Sequence, residues 1–160
     1  MSNNMRWRYG ETNPVQLAVL AATTIEIGDL VYWDGTSLLP ATSQADAGTK
    51  AQNQEAFHDA FAGVAMQAHR GGTDPAGSIR VATTGVFAFD SASATYKVGD
   101  LVGSAGTGSG GAVGVANQTV EAVATENLAV GRVAKAGASV TTVLVDIVAT
   151  LSKGGPQAMA

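Results

Sequence analysis

The chain has 160 residues, of which 20 are glycine and only 14% are charged, against about 25% in an ordinary soluble domain. A hydrophobic fraction of 46% with a net charge of −4 argues against charge-driven disorder, and nine Lys and Arg against 13 Asp and Glu argue against a nucleic-acid-binding surface. The absence of cysteine excludes a disulfide framework and thiolate chemistry. A surface this poor in charge favours burial against neighbouring molecules.

Residues 1–14 are polar and have no apolar period, which predicts an extended N-terminal arm. Fully stretched, the arm would span about 46 Å and reach a neighbouring subunit. It concentrates Arg6, Trp7, Arg8 and Tyr9, and aromatic and arginine side chains commonly anchor interfaces. These four residues are therefore predicted to contact a partner or another subunit, and the alternative is an unanchored tail.

The N-terminal segment carries two arginines, but no hydrophobic stretch of the signal-peptide type follows it directly. No apolar run approaches the roughly 20 residues that cross a bilayer. We therefore expect a protein that is made and folded in a cytoplasm and has no membrane partner.

Residues 15–151 are predicted to form a single β domain, followed by a polar tail over 152–160. Alternating or short apolar runs predict strands in the first half, over 16–20, 25–33, 38–40, 63–68 and 79–90. Asp34-Gly35 predicts a hairpin between two of them, and Gly85 predicts a bend in the last. Residues 42–54 and 69–78 are predicted to be a loop and a turn.

One short helix is predicted over 54–61, because four residues share one helical face there: Ala56, Phe57, Ala60 and Phe61. In the second half, strands are predicted over 96–102, 118–124, 130–136 and 140–151. The segment Gly103–Gly114 holds six glycines and is predicted to be a mobile loop; it lacks the Gly-Lys-Ser/Thr ending of a phosphate-binding loop. The expected fold is mainly β, a small compact barrel or sandwich of about 8–10 strands.

An internal pseudo-repeat is predicted between about 25–90 and 96–151. Ile25-Glu-Ile-Gly-Asp-Leu-Val matches Tyr96-Lys-Val-Gly-Asp-Leu-Val at an offset of 71 residues, and Gly63-Val-Ala matches Gly131-Arg-Val at an offset of 68. In each copy the Gly-Asp pair predicts a sharp corner, because glycine adopts positive φ and aspartate binds nearby backbone N–H groups. The structural turns are thus assigned to Gly28, Asp29, Gly99 and Asp100.

Catalytic chemistry finds little support in the sequence. Asp29 and Asp100 could be read as paired carboxylates, but the Leu-Val that follows each one is not the aspartic-protease pattern. His58 and Asp59 are neighbours on the predicted helix and do not face each other, and His69 is predicted to be solvated in a turn.

Glu55 and His58 have the Glu-x-x-His spacing of di-iron bundles, but such bundles need four helices. Spacing alone leaves a Ser-His-Asp triad open, although no Gly-x-Ser-x-Gly elbow occurs. We predict no catalytic, cofactor-binding or metal-binding residue, and expect the protein not to be an enzyme.

The ordered motifs resemble a family of bacteriophage capsid cement (head decoration) proteins, of the domain-of-unknown-function type. The resemblance covers about Val15 to Ile147 and leaves out both termini and the segment 103–114. It rests on both Gly-Asp-Leu-Val corners and on three further runs: Gln54-Glu-Ala-Phe-His-Asp-Ala-Phe-Ala-Gly-Val-Ala, Ile79-Arg-Val-Ala-Thr-Thr-Gly-Val-Phe and Ala129-Val-Gly-Arg-Val-Ala.

This resemblance implies a small β-rich protein, commonly a homotrimer, that binds the major capsid protein on the outer surface of the assembled head and stabilises it against internal pressure. It implies no catalytic residues. The arm residues would then contact the capsid or a neighbouring subunit. Two alternatives stay open: another virion module such as a tail, fibre or adhesin part, and a small-molecule-binding or enzymatic β-barrel.

Overall fold

The computed structural model describes residues 3–107 and 114–158 of the chain. Its strands are β1 (Trp7–Tyr9), β2 (Val15–Val19), β3 (Leu30–Trp33), β4 (Leu38–Pro40), β5 (Phe61–Ala65), β6 (Gly77–Ala82), β7 (Thr84–Tyr96), β8 (Leu101–Gly106), β9 (Val115–Ala122), β10 (Gly131–Val133) and β11 (Gly137–Val148). The helices are α1 (Lys50–Ala60) and the single turn α2 (Thr150–Lys153), with 3₁₀ turns at Ala41–Ser43 and Glu126–Leu128. The predicted mainly β fold with one substantial helix is confirmed.

The strands form two sheets. The first has the order β2-β6-β5-β3-β4, and the second has the order β1-β7-β11-β10-β8-β9. A further parallel pairing between Asp90 on β7 and Thr119 on β9 closes five strands of the second sheet into a barrel, with β1 added outside on β7. The larger apolar core combines residues of this barrel with Phe57 of α1 and with residues of β3, β5 and β6 of the first sheet. The smaller core is formed by other residues of the first sheet. The prediction of a compact β-barrel is thus confirmed.

The two sheets share one strand order. β2, β6, β5, β3 and β4 occupy the positions that β7, β11, β10, β8 and β9 occupy in the second sheet. The corners match as well, because the Asp29 and Asp100 carboxylates accept the N–H of Glu26 and Lys97 at 2.9 and 2.8 Å. The matching strand sets span 15–82 and 84–148. Their first strands, β2 and β7, carry no Gly-Asp corner and so leave no trace in the sequence repeat.

A pair of glycines in equivalent strands allows equally close packing in both sheets. A Cβ on Gly63 would overlap the carbonyl oxygen of Ala82, and a Cβ on Gly131 would overlap that of Asp146. Gly63 also has a φ of 137°, a conformation that other residues rarely adopt. The repeated Gly-x-Val/Ala motif therefore marks a place where one strand lies directly against the next.

The prediction of one strand over 79–90 is wrong, because the chain changes sheets at Thr83, between β6 and β7. Thr83 is buried and donates its N–H to Thr12 O at 2.9 Å and its hydroxyl to Asn13 O at 2.7 Å. The last residues of the arm therefore hold the crossover. The predicted strands 25–33 and 96–102 also begin later than expected, because the Gly-Asp corner interrupts each of them. The Asp34-Gly35 hairpin between β3 and β4 is as predicted.

Helix α1 is longer than predicted and buries a different face. It begins after Thr49, whose hydroxyl accepts the Gln52 N–H at 3.2 Å. Ala56 is exposed and Phe61 already belongs to β5. The buried face is formed by Asn53, Gln54, Phe57 and His58. Three of these residues are polar, so the spacing of apolar residues predicted the wrong buried face. Each polar residue has a hydrogen-bond partner: Asp46 Oδ1 for Asn53, Ser104 O for Gln54 and Ala129 O for His58.

The predicted loop 103–114 is wrong in its first part, because residues 103–106 belong to β8. Gly103 is required there, since a Cβ would overlap the carbonyl oxygen of Leu128 in the neighbouring 3₁₀ turn. A glycine-rich composition thus reflects close packing at this end rather than mobility. Residues 108–113 lie outside the described part of the chain, as do 159–160 in the predicted tail.

Candidate interaction surface on the N-terminal arm

The arm folds back on its own chain as an edge strand. In β1, Trp7 lies opposite Phe87 and Tyr9 opposite Val86, and the Ala88 N–H donates to Arg6 O at 2.9 Å. This bond flanks the Trp7–Phe87 pair, which makes it a non-hydrogen-bonded pair of an antiparallel ladder. The N–H and C=O of Trp7 therefore point away from β7, to the open edge of the sheet.

Arg6 connects the arm to both sheets. Its guanidinium pairs with Asp90 Oδ2 at 3.0 Å, donates to Ala88 O at 3.0 Å and donates to Gln118 Oε1 at 2.9 Å. The Gln118 amide in turn donates to Asp29 Oδ1 at 2.7 Å, at the corner of the first sheet. Only 7% of Arg6 is exposed. Arg6 thus lies within its own subunit, which leaves Trp7, Arg8 and Tyr9 as the predicted interface residues at the surface.

The two corner carboxylates occupy different environments. Asp29 is buried, and burial raises its pKa although hydrogen bonds from Gln118 and the Glu26 N–H act in the opposite direction. Asp100 is only partly buried. Gly28 and Gly99 precede them with φ of 94° and 92°, the left-handed conformation that the corner requires. Each carboxylate holds a backbone turn in its own sheet.

The arm carries three large exposed apolar side chains, two of them in β1 and one just before it. Met5 precedes β1, and a register shift between Trp7 and Tyr9 sets these two residues opposite the adjacent residues Phe87 and Val86. Met5, Trp7 and Tyr9 are 44%, 42% and 51% exposed. The Trp7 indole N–H donates to Gly10 O at 2.9 Å, which fixes the ring. We call these three residues the arm face.

A groove of about 490 Å³ lies beside Trp7. Its lining is Trp7, Gly10, Glu11, Thr12, Asn13, Pro14 and Met66. The segment that forms most of it is held in place, because Thr12 O accepts the N–H of Thr83 and the Asn13 amide donates to the Thr84 hydroxyl at 2.8 Å. The groove is therefore a fixed feature next to the arm face, suited to an apolar side chain.

His69 is not solvated as predicted. It is buried, with Nδ1 2.6 Å from Thr23 O and Nε2 3.0 Å from Pro75 O, and it joins two turns at one end of the first sheet. His58 is buried against Ala129 O. Among residues 3–107 and 114–158, no group of three or more His, Asp or Glu is placed to hold a metal ion. No helix of that part of the chain is long and apolar enough to cross a membrane.

His69 makes stability depend on pH. The hydrogen bonds to Pro75 O and Thr23 O, with the nearby Asp74 charge, raise its pKa above the ordinary 6.5. Because the pKa of His69 is higher in the folded than in the unfolded state, protonated His69 stabilises the fold. Its contribution to the free energy of unfolding is complete below about pH 6.5 and is lost as the pH rises through the folded-state pKa. Urea unfolding between pH 6 and 9 should show a steeper fall in the free energy of unfolding for the wild type than for His69→Gln. Parallel curves would contradict this assignment.

No protein-family model, curated protein or solved structure matches this chain. The arm face is therefore interpreted from its own geometry. Sequence reasoning identified Trp7 and Tyr9 but missed Met5, which is also exposed. It also missed Asp90 and Gln118 as partners of Arg6, because they lie 84 and 112 residues further along the chain and no local pattern links them.

Proposed function

We propose that this protein is a bacteriophage capsid decoration (cement) protein that binds the major capsid protein on the outer surface of the assembled head. It is made in the cytoplasm of the host bacterium and becomes part of the virion. The observation that carries the proposal is the arm face, three large apolar side chains exposed within five residues at and next to an open edge strand. Such patches mark interaction sites.

The composition supports this assignment. Only 14% of the chain is charged, so docking on a shell removes few charges from water. A ligand that binds only the mature, expanded lattice stabilises that lattice by mass action. Many copies that each contact several capsid subunits gain further from avidity, so a single contact can be weak. A homotrimer on the shell would bury part of the charge-poor surface between subunits.

The arm suits strand addition to the shell. The N–H and C=O of Trp7 point to the open edge, where the C=O accepts a long 3.4 Å bond from Arg8 Nη1 that an incoming strand can replace. They can bind the edge of a capsid sheet, while the arm face fills apolar pockets. Arg8 is exposed on the arm and adds a cation to the contact. Arg6 and Asp90 then serve to hold the arm in its docking position.

The test replaces the arm aromatics. A Trp7→Ser/Tyr9→Ser variant is expected to bind undecorated heads at least tenfold more weakly, because central aromatic residues often contribute about 2 kcal/mol or more each. Co-sedimentation with heads measures the binding. Val98→Ser is the matched control, since Val98 is also a large exposed apolar residue but lies far from the arm in the sequence. Undiminished binding by the double variant would refute the docking role.

Copy number separates this proposal from other virion parts. A decoration protein is expected in hundreds of copies per purified particle, whereas a tail, fibre or adhesin module is expected in a handful. Quantitative mass spectrometry of intact particles gives the ratio to the major capsid protein. A small-molecule-binding or enzymatic barrel would instead reveal itself by a ligand-dependent thermal shift of the free protein.

A further inference from the structure

We infer that the groove beside Trp7 is a binding site for an arginine side chain, which the major capsid protein supplies in the proposed function. The groove has a volume of about 490 Å³ and is lined by two kinds of residue. Trp7, Pro14 and Met66 are apolar, and Glu11 is the one charged residue among the described residues that line it. An arginine matches both kinds, because its aliphatic stem packs on apolar surface while its guanidinium binds a carboxylate.

The Glu11 carboxylate is available to a cation from a partner. Glu11 is exposed, and it forms no ion pair with any residue in the described ranges 3–107 and 114–158. Its backbone is fixed, because Glu11 O accepts the Thr84 hydroxyl at 2.7 Å. Arg8 does not line the groove, and its Nη1 donates to Trp7 O at 3.4 Å. The groove therefore presents an unpaired negative charge beside an apolar surface, which favours a cation with an apolar stem.

Trp7 supplies the second feature of a cation site. Its indole N–H donates to Gly10 O at 2.9 Å, so the ring is held in one orientation while Trp7 stays 42% exposed. The face of an indole ring attracts a cation more strongly than the ring of Tyr or Phe does. Arginine suits this site better than lysine, because its planar guanidinium can stack on the ring and donate hydrogen bonds to a carboxylate at the same time.

The capsid protein is the expected source of the arginine, and this choice rests on the proposed function. Trp7 belongs both to the arm face and to the groove, so a capsid segment docked on the arm face lies next to the groove. A charge pair at such a position contributes to partner choice and to orientation on the shell. The contact with Glu11 would thus select among apolar segments that the arm face alone accepts equally.

Capped arginine is the probe for the groove. N-acetyl-arginine methylamide is added to isotope-labelled protein, and the indole N–H signal of Trp7 is followed by NMR. This signal should shift in a saturable manner, whereas that of Trp33 in β3, which does not line the groove, should stay in place. Capped citrulline, which resembles arginine in shape but has no charge, should cause a much smaller shift.

Two variants of exposed acids separate a specific contact from general charge attraction. Glu11→Gln should weaken the binding of capped arginine about two- to fivefold, as expected for the loss of one exposed ion pair. Asp59→Asn is the matched control, because Asp59 is an exposed acid on α1 that does not line the groove. It should leave the binding of capped arginine unchanged. Equal shifts with arginine and citrulline, or equal affinities of the two variants, would overturn the groove as an arginine site.

Co-sedimentation with undecorated heads tests the source of the arginine. Glu11→Gln should weaken head binding by a similar factor, and Asp59→Asn should not. Head binding that is unchanged in Glu11→Gln, although capped arginine binding depends on Glu11, would overturn the capsid protein as the source. A wild type that binds capped arginine but does not bind heads would contradict the proposed function and would support the groove as an arginine site.

Discussion

Replacing Arg6 with alanine is expected to lower the free energy of unfolding by about 2–3 kcal/mol. Removing one partner of a fully buried ion pair costs about 3–5 kcal/mol, and the partial exposure of Asp90 reduces that figure. The variant also removes the donors to Ala88 O and Gln118 Oε1. The melting temperature should fall by about 5–10 °C for a domain of this size.

Arg8→Ala is the matched control for this prediction. It removes the same side chain two positions away, but Arg8 is exposed, so its expected effect lies within about 0.5 kcal/mol. Urea unfolding followed by circular dichroism compares the two variants with the wild type. Equal stability of the two variants would show that the buried network does not hold the arm.

Gly63→Ala is expected to have a still larger effect, about 4 kcal/mol or more, and little soluble protein. The new methyl group would overlap the Ala82 carbonyl oxygen, which belongs to the backbone of the neighbouring strand and cannot move aside alone. The positive φ of Gly63 adds strain for any other residue. Gly131→Ala should also be strongly destabilising, but only through the overlap of the new methyl group with the Asp146 carbonyl oxygen, because Gly131 does not have a positive φ.

Gly77→Ala provides the comparison for the glycine variants. Gly77 also lies in a strand, but its φ is not positive and a methyl group at this position would have its nearest neighbouring atom 3.9 Å away. Its free energy of unfolding should change by less than about 1 kcal/mol. Soluble yield and urea midpoints distinguish the three variants. A Gly63→Ala protein as stable as Gly77→Ala would mean that the two strands can separate without cost.

Much of the fold could be predicted from the sequence, because period-two apolar runs and Gly-Asp corners are local signals. The hairpin at Asp34-Gly35 and the repeated corners at Asp29 and Asp100 are examples. The change of sheet at Thr83 could not be predicted, since its cause is a set of hydrogen bonds to residues about 70 positions earlier. The pairing of Asp90 with Thr119, which closes the barrel, is likewise a long-range contact that no local sequence pattern predicts.

The candidate site was predicted only in part. Trp7 and Tyr9 stood out because exposed aromatic residues are unusual in a polar segment. The predictions for Arg6 and His69 were wrong. Both were expected at the surface, because charged residues and turn residues usually lie there. Both are buried because they find acceptors: the Asp90 carboxylate for one, and two backbone carbonyls for the other. Those acceptors come from distant segments and exist only once the tertiary structure forms.

The contacts of Arg6 with distant residues bear on the order in which segments of the chain dock during folding. The arm is synthesised before its anchors at Asp90 and Gln118, which lie 84 and 112 residues further along the chain. Loop closure over such separations is slow relative to local contacts. We therefore expect β1 to dock late in folding, after β7 and β9 have been synthesised.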